Sequence, residues 1–415
     1  MTDHTVSNAP SERAIVFLVG AVQFVNILDF MMVMPMGPDF AAALHIPVSR
    51  LGLIGGSYTA AACVTGLAGS VVLDRFDRRS ALAVAMAGLV AGTLLGGAAT
   101  GLASLLAARV MAGAFGGPAT SIALSIVTDA VPAERRGKAM GAVMGAFSIA
   151  SVLGVPAGLK LARIGGWRLP FFSVGALGLV IAALAVSLLP SMRSHLRSRE
   201  SRAPTVRFVD MVRRPVVLLS YSMTVSATIG MFALIPNISA HLQRNLGYPR
   251  AEIETLYFYG GIVSFMVLRL AGFLVDRFGA ASVATFGSLA TVAVIWAGFV
   301  REPPPVPVLL VFVGFMAATG FRNVAYNTLT SRVPRAAERA RFMSIQSAAQ
   351  HAASALGAVI SSQILRESAS GRLENVSAVA SFAIVMVSLL PFLMFAVERR
   401  VKADASAPAT AIADH

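Results

Sequence analysis

Gly69-Ser-Val-Val-Leu-Asp74-Arg75-Phe76-Asp77-Arg78-Arg79 decides how this chain is read, because part of it returns. Asp74-Arg75-Phe76-Asp77 comes back as Asp276-Arg277-Phe278-Gly279, 202 residues further on. Val131-Pro132 comes back as Val333-Pro334 at the same offset, and Arg136-Gly-Lys-Ala-Met140 returns loosely as Arg339-Ala-Arg-Phe-Met343. Two loops recurring at one spacing point to two similar halves. The loop is also unusual in itself: a chain with 13% charged residues places five of them in the six positions 74–79.

The residues around these loops are apolar. The chain has 415 residues, 56% of them hydrophobic, and a mean hydropathy of +0.74. A soluble protein carries about 25% charged residues, so the composition points to a polytopic membrane protein. The net charge of +14 comes mostly from arginines between apolar runs, with lysine only at 138, 160 and 402. That is the pattern of loops flanking membrane helices, so a nucleic-acid partner is not expected. The single cysteine, Cys63, excludes an internal disulfide framework and a cysteine metal site, and packing is its expected role. No HExxH, GxSxG, phosphate-binding loop or His/Asp metal cluster is present. Neither an enzyme nor a cofactor or metal is therefore expected, and pumping driven by ATP would need a partner protein.

A membrane helix needs about 20 apolar residues. Twelve spans are expected, at about 14–37, 48–73, 80–100, 102–128, 138–164, 168–190, 215–243, 251–275, 280–300, 306–330, 341–366 and 376–397. The first span is read as retained, since positions 1–13 are polar and no small-residue cleavage site follows. The basic residues concentrate in loops 2–3, 4–5 and 10–11 and in the segment 191–214. The positive-inside rule then places both termini in the cytoplasm. The expected organisation is an N-terminal six-helix half (1–190), a basic cytoplasmic linker (191–214), a C-terminal six-helix half (215–400) and a disordered tail (401–415). Two parallel halves around a midplane site are an alternating-access design.

Residues 69–79 resemble the loop 2–3 signature of the major facilitator superfamily, G-x-x-x-D-R-x-G-R-R, at Asp74, Arg75, Arg78 and Arg79. Ser70 stands where the pattern has its first glycine and Asp77 where it has the second; the second copy keeps Gly272 and Gly279 but has Ala280 and Ala281 for the basic pair. Arg109-Val-Met-Ala-Gly113 is similar to the span-4 motif R-x-x-Q-G, with Ala112 for glutamine. The stretch 145–158, ending Leu153-Gly-Val-Pro-Ala-Gly158, is similar to the span-5 motif of proton-coupled exporters, with its Gly and Pro one residue further apart. Gly166-Trp-Arg168 and Phe171 match a common opening of span 6. The resemblance covers the whole chain. It implies an all-α fold of twelve transmembrane helices in two pseudo-symmetric halves, in the drug- and sugar-efflux branch, and leaves the substrate open.

The resemblance also implies that Asp74, Arg75, Arg78, Arg79 and Asp129, with Asp276 and Arg277 in the second copy, form a cytoplasmic latch. Charge-assisted hydrogen bonds would hold one state and release in the other; a plain positive-inside anchor is the alternative. Asp77 either retunes this latch or fills a turn, since aspartate tolerates left-handed backbone.

Asp29 is the only acid well inside a span. Such residues cost roughly 2.5–3.5 kcal/mol to insert and face a cavity or a partner. Gln23, Asn26 and Asp29 share one helical face. At 1.5 Å per residue, Asp29 on span 1 and Arg109 on span 4 reach a similar depth. Burial disfavours the charged carboxylate and a nearby arginine favours it. Asp29 is therefore read as the proton-coupling residue with Arg109 as its partner; a substrate-binding carboxylate and a structural contact are the alternatives. His351 lies near mid-membrane and could also titrate. Tyr221, Asn237, Tyr257, Tyr259, Asn323, Tyr326, Asn327, Gln346 and Gln350 either line a substrate cavity or join helices. Gly141, Gly145, Gly154, Pro156 and Gly158 would let span 5 bend and approach a neighbour. Arg269 and Arg322 read as end-of-span residues that snorkel or pair with loops. The expected function is proton-coupled export of a small molecule by a monomer in a bacterial inner membrane. A facilitator or symporter on the same fold, and a non-transporting sensor or enzyme, are the alternatives.

Overall fold

The structure is a computed structural model and describes residues 11–72, 75–192, 208–335 and 338–406. Spans 1 to 4 are helices at Glu12–Val33, Leu51–Val72, Arg78–Gly97 and Leu102–Ala130. Span 5 runs through Ala133–Ile149, a π-helical turn at Ala150–Gly154 and Val155–Gly165. The turn lies directly before Pro156, whose ring cannot donate the usual backbone hydrogen bond. Span 6 is Arg168–Leu188. Span 7 bends at Ile235–Asn237, around Pro236, between Pro215–Leu234 and Ile238–Arg244. Spans 8 to 10 are Ile253–Phe278, Ala280–Ile295 with a π turn at Trp296–Val300, and Val308–Ser331. Span 11 is Arg339–Ile364 and span 12 is Val376–Ser406. A short hairpin pairs Arg366 with Glu374 and Glu367 with Leu373 between them.

Eleven of these helices are long and apolar enough to cross a membrane. Span 11 has the length, with 26 residues, but Gln346, Gln350, His351, Gln363 and several serines dilute its apolar surface. Large apolar side chains, including Phe17, Phe273, Phe286, Leu289 and Phe392, stand exposed around the bundle. Such a surface suits lipid, which competes for no hydrogen bonds with helices whose backbone is already paired.

The chain forms two compact units, one from Met1–Val33 with Ala61–Arg202 and one from Met34–Ala60 with Ala203–His415. The stretch Met34–Ala60 thus groups with the second-half helices. Three hydrogen-bonded contacts hold it there: Ser239 Oγ donates to the Pro35 carbonyl at 2.8 Å, Arg250 binds Asp39 at 2.6 Å, and the Val48 amide donates to Glu367 at 2.7 Å. Backbone proximity completes the join, since a Cβ at Gly52 would lie 2.6 Å from the Ala358 carbonyl oxygen.

Glycine permits close packing in both units. A Cβ at Gly92 on span 3 would lie 2.5 Å from the Ala112 amide on span 4 and 3.0 Å from the Ala108 carbonyl. Within the second unit, a Cβ at Gly287 on span 9 would lie 2.6 Å from the Arg322 amide on span 10 and 3.1 Å from the Ala318 carbonyl. Gly154 on span 5 meets Leu28 on span 1, and Gly357 on span 11 meets Ile229 on span 7. The approaches are of one kind, but they do not fall at the spacing of the repeated loops.

Candidate functional site

Span 1 presents Gln23, Asn26 and Asp29, all buried, toward span 4. Asn26 donates to the Gly116 carbonyl at 2.9 Å and to Thr120 at 2.6 Å. One turn on, Asp29 receives both terminal nitrogens of Arg109, at 3.0 and 2.9 Å. Thr93 on span 3 adds a hydroxyl at 2.8 Å. Asp29 is 0% and Arg109 1% exposed. The carboxyl group therefore accepts three hydrogen bonds from two helices and donates none, the role of a carboxylate clamped by a guanidinium fork. Gln23 Oε1 finds no partner among the described residues.

The charged loop differs from its expected form. Asp74 lies outside the described residues. Arg78 reaches Asp129 at 3.4 Å, whereas Arg75 is exposed. Asp77 is not in left-handed backbone: its φ of −58° and ψ of 127° are extended. Its carboxylate instead receives the Met192 amide at 2.7 Å and the Ser191 hydroxyl at 3.2 Å, tethering the end of span 6 to the start of span 3. The second copy is also different. Asp276 is exposed, and Arg277 lies over the ring of Phe278. An ion pair at that end of the second unit joins Arg214 with Glu338, which sequence reasoning passed over.

The polar residues of the second unit divide into joints and a cluster. Asn237 donates to Ser361 at 2.7 Å, Tyr221 stacks on Phe342, and Tyr257 packs against Phe312. Thr224, Tyr326 and Gln346 come together from spans 7, 10 and 11: the Gln346 amide donates to the Thr224 hydroxyl and, at 3.1 Å, to that of Tyr326. Tyr259, Asn323, Asn327, Gln350 and Arg269 are exposed, and His351 is half-buried without a hydrogen bond among the described residues. Arg322 is not at the end of its helix. Span 10 continues nine residues beyond it, to Ser331, and Arg322 is 2% exposed. On span 5 the close approach is at Gly154, where a Cβ would lie 2.8 Å from Leu28, while one at Gly141 or Gly145 meets nothing within 4 Å.

The family model described as Major Facilitator Superfamily matches residues 19–236 and 220–413. The chain belongs to the major facilitator superfamily. Within this superfamily it is 24% identical over 252 residues to "Uncharacterized MFS-type transporter YfhI" of Bacillus subtilis (strain 168). The match takes in 60% of this chain and spans 62% of that relative's length. Among superfamily structures, a bacterial homologue of the human lysosomal transporter Spinster, inward-facing and unoccupied, aligns with TM-score 0.74 and 17% identity, over 96% of this chain and 99% of that one. A D-xylose–proton symporter aligns with TM-score 0.75 and 18% identity, over 92% and 96%. A point mutant of the nucleoside transporter NupG aligns with TM-score 0.69 and 13% identity, over 92% and 99%. At these identities the likeness is one of fold.

Proposed function

We propose that this chain is a secondary transporter that exchanges protons for a small molecule by alternating access, with export as its direction. The observation that carries the reading is the buried Asp29–Arg109–Thr93 group. An ionised pair shut inside a bundle gains little net stability over apolar packing, so its retention calls for a task. Asp29 carries the proton. When it is protonated the pair opens, Arg109 loses its counter-charge, and span 4 is released from span 1; deprotonation restores the pair. Family membership supports transport, and the arginine-rich loops support cytoplasmic termini in a bacterial inner membrane. Arg78 with Asp129, and Arg214 with Glu338, act as state-dependent latches at that face. The cargo cavity draws on the Thr224–Tyr326–Gln346 cluster.

The test is efflux from cells of a panel of dyes, antibiotics and sugars, for wild type and Asp29→Asn, each with and without a protonophore. Wild type lowers the accumulation of at least one compound, and both the protonophore and Asp29→Asn abolish the effect. Efflux by Asp29→Asn at the wild-type level and still sensitive to protonophore would remove Asp29 from the coupling step. Uptake in place of efflux would turn the reading to symport.

A further inference from the structure

The two units treat their buried arginines differently. In the first, Arg109 meets Asp29. In the second, Arg322 is equally buried, yet its Nε and one terminal nitrogen have no hydrogen-bond partner among the described residues. The other terminal nitrogen donates to the Asn323 side chain at 3.2 Å. The second unit has no acid to match Asp29: at the 202-residue offset of the repeated loops that position is Met231. Spans 7, 9, 10 and 11 contain no Asp or Glu. Spans 8 and 12 carry Glu254, Asp276, Glu398 and Asp404 only toward their ends. Arg322 lies about 14 Å from the Ser331 end of its helix and about 21 Å from the other, beyond a side chain's reach of those acids.

Arg322 does have polar company. Tyr326 follows it by one turn on the same helical face, joined to Thr224 and Gln346. Gln346 keeps an unpaired carbonyl oxygen, and Ser220, 0% exposed and one turn from Thr224, keeps an unpaired hydroxyl. A buried guanidinium with open donors is costly until an acceptor arrives. The exposed Asn323 supplies one acceptor.

We propose that Arg322 binds an oxyanion group of the transported molecule, so that the cargo is an organic anion. The cargo's charge supplies the counter-charge that Arg322 does not find among the described residues, and its oxygens take the guanidinium donors. This rests on the reading of the chain as a transporter but not on Asp29 as its proton carrier.

The test is thermal unfolding of the purified full chain in detergent, titrated separately with benzoate, inorganic phosphate and neutral benzamide. Wild type, Asp29→Asn, Arg322→Lys and Arg322→Gln are compared after size-exclusion chromatography. Benzoate or phosphate raises the midpoint of wild type and Asp29→Asn, and the one that does so identifies a carboxylate or a phosphate. Arg322→Gln shows an apparent affinity about tenfold weaker or none, as expected for a lost charge-assisted bond. Arg322→Lys keeps part of the response, which separates charge from fold should the glutamine variant not be monodisperse. The proposal is overturned if neither anion shifts wild type, if Arg322→Gln responds equally, or if benzamide matches benzoate. Loss of proton coupling in Asp29→Asn with anion binding intact would leave the two readings separately judged.

Discussion

Thr93 alters the balance of the Asp29–Arg109 pair. Its single hydroxyl proton faces both the carboxylate, at 2.8 Å, and the Leu89 carbonyl, at 2.9 Å, so the carboxylate competes with the backbone for a third bond. A hydrogen bond to a charged group contributes about 1.5–3 kcal/mol. Thr93→Val should therefore lower stability by roughly that amount; thermal unfolding measures the loss, and an unchanged midpoint would make Thr93 a packing residue. Asp29 and Arg109 are legible in the sequence because charges inside spans are rare and the rise per residue sets their depth. Thr93 is not, since one threonine in an apolar helix looks like any other. Arg322 escapes for a different reason: it stands in the last third of its expected span, where an arginine can snorkel, and burial cannot be seen in a sequence. Asp77 misleads through its place in a motif, whereas its partners, Ser191 and Met192, lie over a hundred residues away.

Helix positions are readable because apolar runs and arginine-rich loops alternate with the period a bilayer imposes. Close approach is harder to read, since glycine is common in membrane helices and most of its positions demand nothing. Geometry separates them. At Gly92 the neighbour is span-4 backbone, which cannot rotate away, whereas Gly145 faces open space. Gly92→Ala should cost about 1–3 kcal/mol through overpacking, while Gly145→Ala should be neutral or slightly stabilising through helix propensity. Unfolding midpoints of the two variants decide; equal shifts would mean that spans 3 and 4 relax apart easily. Sensitivity at Gly92 also bears on function, because span 3 brings Thr93 to the carboxylate.

At the scale of the molecule, the recurrence of the loops is legible in the sequence. The grouping of Met34–Ala60 with Ala203–His415 is not. Its anchors, Asp39 and Arg250, stand at span ends with no repeated motif. Their bidentate geometry, with Nε at 2.7 Å from one oxygen and a terminal nitrogen at 2.6 Å from the other, makes a join that is strong when formed and cooperative when broken. The proposed alternating-access cycle would be tested by asking whether this join must open. Asp39→Arg should abolish transport by repulsion, and Asp39→Arg with Arg250→Asp should recover part of it. Efflux assays on the single and double variants check this, and wild-type rates in the single variant would remove the contact from the cycle.

The unequal arginines have an electrical consequence. Arg109 and Asp29 sum to zero, so the membrane potential exerts little net force on them wherever they move. Arg322 carries its full charge, and a unit charge crossing the field is worth about 2.3 kcal/mol per 100 mV. Any displacement of span 10 along the membrane normal therefore does work against the voltage when the protein is empty, and far less when an anion rides with it. With the proposed anionic cargo, voltage would act on the empty and the loaded protein unequally, through one side chain.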